Sequence, residues 1–287
     1  MGGRASCGED TKKISQLLEI RLEMLWRATR CACTSWRLFS TQRLYLNDMS
    51  LLQHSATVVG VSECGEQVML DASVFHPQGG GQPSDAGALT RASDGAVFEV
   101  AKAVVGKGGA DVAHIGAGAR LQVGDAVTAA IDGERRKLHS VLHSAGHAVD
   151  VALASVGARD GQDDVAALVP TKGYHFPDGP KVTYAGVLAP ERRLPLVGAL
   201  QAALDALVAA DIPTVVKDVR AAEVDPLYAG TGFPDAQESV RVVGVGGELF
   251  CPCGGTHVSS TAALGAVVIK KIGSKKGETK VYYDVAD

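Results

Sequence analysis

Leu138-His139-Ser140-Val141-Leu142-His143-Ser144-Ala145-Gly146-His147-Ala148-Val149-Asp150-Val151-Ala152-Leu153-Ala154-Ser155 is the stretch at which the chain changes character. It is nearly continuous in apolar and small residues and lacks proline, so it reads as a buried helix. The text before it is different. From about Leu44 to Asp132, short β-branched runs (Ala56–Val61, Gln67–Leu70, Val97–Val100, Asp125–Ile131) alternate with Gly, Asp and Pro. Turn signals at such short spacing predict an all-β barrel or sandwich. The glycine-rich stretch Gly106–Gly118 reads as a loop, and Cys64 as a small buried apolar group. After the helix, Val197, Leu200, Leu204, Leu207 and Val208 form one face of a second helix that follows Pro195. Thr214–Arg220, Val240–Val245, Ala266–Ile272 and Thr279–Val285 read as strands, the last two flanking a hairpin turn at Gly273–Gly277. An all-β segment followed by helices among mostly antiparallel strands makes the expected fold α+β.

The same helix carries chemistry. His139, His143 and His147 recur at i, i+4 spacing, which puts them on one face, and any adjacent pair can chelate an ion. Gly146 among them costs about 1 kcal/mol relative to Ala, tolerable where close packing is needed. A second fragment, Cys253-Gly254-Gly255-Thr256-His257, frames a tight turn with a thiol and an imidazole. His143 and His147 together with Cys253 and His257 supply three nitrogens and one sulfur, a set that suits tetrahedral Zn²⁺.

The bulk numbers narrow the field. Of 287 residues, 21% are charged and 46% apolar, as in a globular protein. No apolar run is long enough to cross a bilayer. The formal net charge of −4 provides no global attraction to nucleic acid, so RNA contact must come from local patches such as the lysines around Lys275 and Lys276, which also suit a solvated hairpin tip. Six cysteines, three of them at Cys7, Cys31 and Cys33, do not make a disulfide scaffold. Residues 1–40 stand apart. Between Met24 and Leu46 no acidic residue occurs while Arg27, Arg30, Arg37 and Arg43 recur, which fits a mitochondrial or plastid presequence; Glu9, Asp10, Glu19 and Glu23 before it fit a plain extension of a cytoplasmic protein.

Phe75-His76-Pro77-Gln78-Gly79-Gly80-Gly81-Gln82-Pro83-Ser84-Asp85-Ala86-Gly87, His143–His147, Lys172-Gly173-Tyr174-His175-Phe176-Pro177-Asp178-Gly179 and Cys253–Val258 resemble, in order, the editing domain of alanyl-tRNA synthetases. They resemble still more the free-standing trans-editing proteins of the AlaX type, in their medium-length form without the aminoacylation core. The resemblance implies a translation-protein-like β-barrel over 41–132, then a two-layer zinc-binding editing domain over 133–287 of the kind shared with threonyl-tRNA synthetases. It places zinc on His143, His147, Cys253 and His257, with His139 nearby but not a ligand. These four with Thr256 would form the catalytic set. Gly79, Gly80, Gly81, Gln82, Gly254, Gly255, Tyr174, His175, Lys275 and Lys276 would meet substrate or tRNA. The implied reaction is hydrolysis of the ester on tRNA(Ala) mischarged with serine or glycine, errors that an alanine pocket discriminates against poorly. Zinc would either activate water or orient the ester. An inactive, zinc-stabilised tRNA-binding module is the reading from another class.

Overall fold

The computed structural model describes residues 40–106, 109–159, 161–228, 239–247 and 249–286. The expected presequence or extension therefore lies outside the described residues, save Ser40. The first half is a barrel. Its strands are β2 (Gln53–Val61), β3 (Gln67–Leu70), β5 (Gly87–Arg91), β6 (Val97–Val105), β7 (Val112–Gly118) and β8 (Ala126–Ile131), closed in the order β2-β3-β7-β6-β5-β8. A short parallel pair, β1 (Gln42–Arg43) with β4 (Ala72–Ser73), stands beside it. Alternation fills the interior: Phe98, Val100, Val127 and Ala129 are buried while their neighbours face outward. Closure leaves no sheet edge to protect.

Two expectations fail here. The segment expected as a loop, Gly106–Gly118, contains β7, paired on both sides by β3 and β6. A Cβ at Gly116 would stand 1.8 Å from the Glu99 carbonyl oxygen, opposite an irregularity in β6. The glycine therefore marks close backbone approach within a sheet, not its absence. Cys64 is exposed, because it sits in the Ser62–Gly65 turn between β2 and β3.

Asp132 ends the barrel and caps the next element, its side chain accepting from the Arg135 N–H at 3.0 Å. Helix α1 (Gly133–Gly157) then runs further than the apolar stretch alone required. A short turn of helix, α2 (Asp163–Ala166), and strands β9 (Val169–Tyr174) and β10 (Lys181–Ala185) follow. Helix α3 (Pro190–Ala209) begins five residues before Pro195 and continues through it. Pro195 and Glu191 are exposed, so the carbonyl left without its helical partner faces water. Beyond lie β11 (Val215–Val219), β12 (Val240–Gly244) and β13 (Phe250–Pro252), one three-stranded sheet, and the hairpin β14 (Val267–Lys275) with β15 (Glu278–Val285). The hairpin turn shrinks to Lys276 and Gly277, both at positive φ, which matches the twist of its strands.

The hairpin joins β10 and β9 in a sheet of order β14-β15-β10-β9, and α1 and α3 pack on it. Leu142, Val149, Leu153, Leu200, Ile269 and Val281 belong to their shared core. One buried ion pair ties this half to the barrel. Arg136, in the first turns of α1, pairs with Asp85 of the barrel loop and donates to the carbonyls of Met49 and Val74. Asp85 in turn accepts from the His76 N–H, so both charges are embedded in hydrogen bonds.

Candidate metal centre and its cavity

Four side chains from two distant stretches converge. The ligand atoms of His143, His147, Cys253 and His257 all lie within 4.8 Å of one another. Helix α1 sets the first two on one face, and the turn that leaves β13 sets the others. The Cys253 N–H bonds the Arg241 carbonyl, and the Arg241 guanidinium bonds the Cys253 carbonyl, which fixes the start of that turn. Cys253 Sγ stands 3.5 Å from His143 Nε2 and 3.3 Å from His257 Nε2. Tetrahedral zinc with bonds of the usual length would separate a sulfur and a nitrogen by about 3.6 Å. The donor set and its spacing therefore fit a metal ion of that class.

The far sides of the rings are also held. His143 Nδ1–H donates to Gln82 Oε1 at 2.7 Å, and His257 Nδ1–H to Ser144 Oγ at 3.1 Å. Such contacts fix which nitrogen is bare and where it points. Gln82 comes from the glycine-rich barrel loop. Its Oε1 also accepts from the Thr256 N–H at 3.0 Å, and its Nε2 donates to Thr256 Oγ1 at 2.9 Å. One amide thus couples the barrel, a ligand on α1 and the ligand turn.

Burial holds the imidazoles neutral. His147 is pushed down to about 4, and His143 and His257 well below the usual histidine range, with neighbouring imidazoles adding to the effect at His143 and His257. Burial pushes the Cys253 thiol up to about 11, opposed by the Gly255 N–H and Arg241. The three nitrogens are ready ligands at neutral pH, whereas the sulfur needs an ion to become thiolate.

Beside the cluster opens a cavity of about 800 Å³, of the size that takes small-molecule substrates. His143, His147, Cys253 and Gly254 line it, with Gly79, Gly80, Gly81 and Gln82 from the barrel and Tyr174 and His175 from the end of β9. His175 stacks on His143 with ring centroids 4.5 Å apart. Its Nδ1 is 2.6 Å from the Tyr283 hydroxyl, which itself donates to the Leu142 carbonyl. With that hydroxyl's only proton spent, His175 must donate through Nδ1, and Nε2 is its acceptor. Space for the stacked rings comes from glycines: a Cβ at Gly146 would meet His175 Cε1 at 2.3 Å, and one at Gly255 would meet His143 Cε1 at 2.2 Å.

Other expected site residues fall elsewhere. Thr256 is fully buried and does not line the cavity; its hydroxyl is engaged by Gln82 and by Ser140 at 2.8 Å, so it braces the turn and does not face a substrate. Gly255 likewise serves by leaving room for His143. Lys275 and Lys276 sit at the tip of the β14–β15 hairpin, off the cavity wall. His139 is not among the converging ligands; it faces the barrel near Asp85 and His76. The reading of the sequence missed Ser144, Arg241, Tyr283 and Asp150. Of these only Ser144 carried a signal, as the residue beside a ligand within His143–His147.

Residues 240–281 match the model of the "Threonyl and Alanyl tRNA synthetase second additional domain". The chain is 30% identical to the alanyl-tRNA editing protein AlaX-M of Methanosarcina barkeri, over 86% of this chain and the whole of that protein. It is 27% identical to AlaX-L of Pyrococcus horikoshii, over 82% of this chain and 55% of that one. Similarity also reaches the alanine–tRNA ligase of Archaeoglobus fulgidus, at 31% identity over 82% of this chain but only 24% of the ligase.

Proposed function

Because the chain belongs to the AlaX-type alanyl-tRNA editing proteins, we propose that it hydrolyses the ester linking a wrong amino acid, chiefly serine and also glycine, to tRNA(Ala). The observation that carries this reading is the convergence of His143, His147, Cys253 and His257 beside a substrate-sized cavity whose wall includes the first three. In this proposal the barrel is of the translation-protein type and ends at residue 132, and the deacylase domain is the two-layer kind that alanyl- and threonyl-tRNA synthetases share.

Zinc is the ion proposed, and four protein ligands suit a centre that orients the terminal adenosine and its ester. The chain's own groups would do the rest. Arg43, Lys172 and Arg241 line the cavity and suit the phosphates of a tRNA end, although the chain as a whole is acidic. Gly80, Gly81 and Gly254 bring bare backbone to the wall, where N–H groups can polarise an ester carbonyl, while the Gly79 N–H closes the loop on the Gln82 carbonyl. His175, kept neutral by burial and by the neighbouring His147, and with its Nδ1–H engaged by Tyr283, offers Nε2 as an acceptor. A seryl hydroxyl satisfies that acceptor and an alanyl methyl does not, which gives a site for errors a reason to spare the correct product. Water adds to the ester carbon, the bond to the ribose oxygen breaks, and free serine and uncharged tRNA leave.

Deacylation of Ser-, Gly- and Ala-tRNA(Ala) by the purified protein tests this. Loss of seryl ester well above the uncatalysed rate, with alanyl ester spared, is expected. Tight tRNA binding with seryl ester lost only at the uncatalysed rate would support the inactive binding module.

A further inference from the structure

The cavity wall is basic or neutral except at one place. Asp150 is the single acidic side chain among the described residues that line it. It follows His147 by three residues on α1, so the two project from the same face of the helix, about one turn apart. Its Oδ1 accepts from the Tyr184 hydroxyl at 2.6 Å, which fixes the plane of the carboxyl group. Among the described residues no donor occupies Oδ2, and Asp150 is half-buried on the cavity wall. Tyr228 and Cys251 stand close by.

A carboxylate here is poorly matched to the phosphates that Arg43, Lys172 and Arg241 suit. Burial pushes it up to about 7, with the Tyr184 bond opposing, so the ionised form needs a cation beside it. The 3′ end of a seryl- or glycyl-tRNA carries one cation, the α-ammonium of the amino acid. That group is a single carbon away from the carbonyl under attack, so holding it also aims the ester.

Resting on the deacylase reading above, we propose that Asp150 is the receptor for the substrate's α-ammonium, so that the site selects esters with a free amine over those whose amine is absent or blocked. The test compares seryl-tRNA(Ala) with tRNA(Ala) carrying 2,3-dihydroxypropanoate, a serine isostere in which a hydroxyl replaces the ammonium. Wild type should prefer the seryl ester by roughly 10–100-fold in kcat/KM, the range expected for one charge-assisted hydrogen bond. Asp150→Asn, which keeps the shape and the bond from Tyr184, should lose that factor on the seryl ester only. Tyr184→Phe removes the tie to β10 but leaves the charge, and should retain the preference. An equal loss on both esters in Asp150→Asn, or a preference abolished in Tyr184→Phe, would assign Asp150 to packing and overturn the proposal. Wild type that hydrolyses both esters equally would also overturn it. Wild type inert on both would instead overturn the deacylase reading, and the amine subsite with it.

Discussion

Two buried histidines, one in each half of the molecule, look alike by every local measure and differ in what they leave open. His114, inside the barrel, is held down to about 4 by burial. Its Nδ1–H donates to the Val68 carbonyl at 3.0 Å and its Nε2 accepts from Ser73 Oγ at 2.8 Å, so both nitrogens are used up by neighbours. His143, on α1, is equally buried, but only its Nδ1 is taken, by Gln82; its Nε2 turns toward Cys253 and His257. A depressed pKa therefore marks burial in both halves. Function is marked by bare lone pairs that converge.

That contrast can be attacked from both sides. The largest effect is expected at the seam between the halves. Arg136→Met leaves Asp85 buried without its partner and should destabilise the protein by about 3–5 kcal/mol in denaturant unfolding. Next comes Cys253→Ala, expected to abolish tight metal binding and to slow seryl-tRNA(Ala) deacylation by on the order of 10²–10³-fold. Wild-type metal affinity should rise about tenfold per pH unit through neutrality, since one thiol proton must leave and the imidazoles are already bare. A flat profile in metal competition titrations would remove Cys253 from the ligand set. Gln82→Ala takes one amide from the barrel, yet its effect should appear in the other half, as a 10–100-fold (order-of-magnitude) weaker hold on metal in the same titrations. The smallest effect belongs to the closed histidine. His114→Gln should lower stability by about 1–2 kcal/mol and leave metal stoichiometry and deacylation unchanged. Loss of metal in that variant would erase the distinction between the two histidines.

Local physics made much of this legible in advance. β-branched runs marked β2, β3, β8 and β12, and the proline-free apolar stretch marked α1 with its two candidate ligands. The Cys253–His257 turn was readable because a thiol and an imidazole around two glycines have few other uses. β7 was not, since its glycines report a neighbouring strand's backbone, which no local pattern encodes. The helix through Pro195 was hidden for a related reason: the cost of proline depends on whether the orphaned carbonyl meets water. The resemblance put Gln82 at the substrate, and it does line the cavity; that its amide also ties Thr256 to the barrel, across 174 residues of chain, no local pattern could show. Asp150 carries no motif in the sequence, and only the fold places it on the cavity wall.

The glycine slot around His143 and His175 has a practical consequence for anyone who screens variants. Scored by chemical likeness, Gly255→Ala or Gly146→Ala ranks among the mildest changes a genome can acquire. Here one added methyl would collide with an imidazole ring, so such an allele belongs in the same severity class as deletion of a ligand.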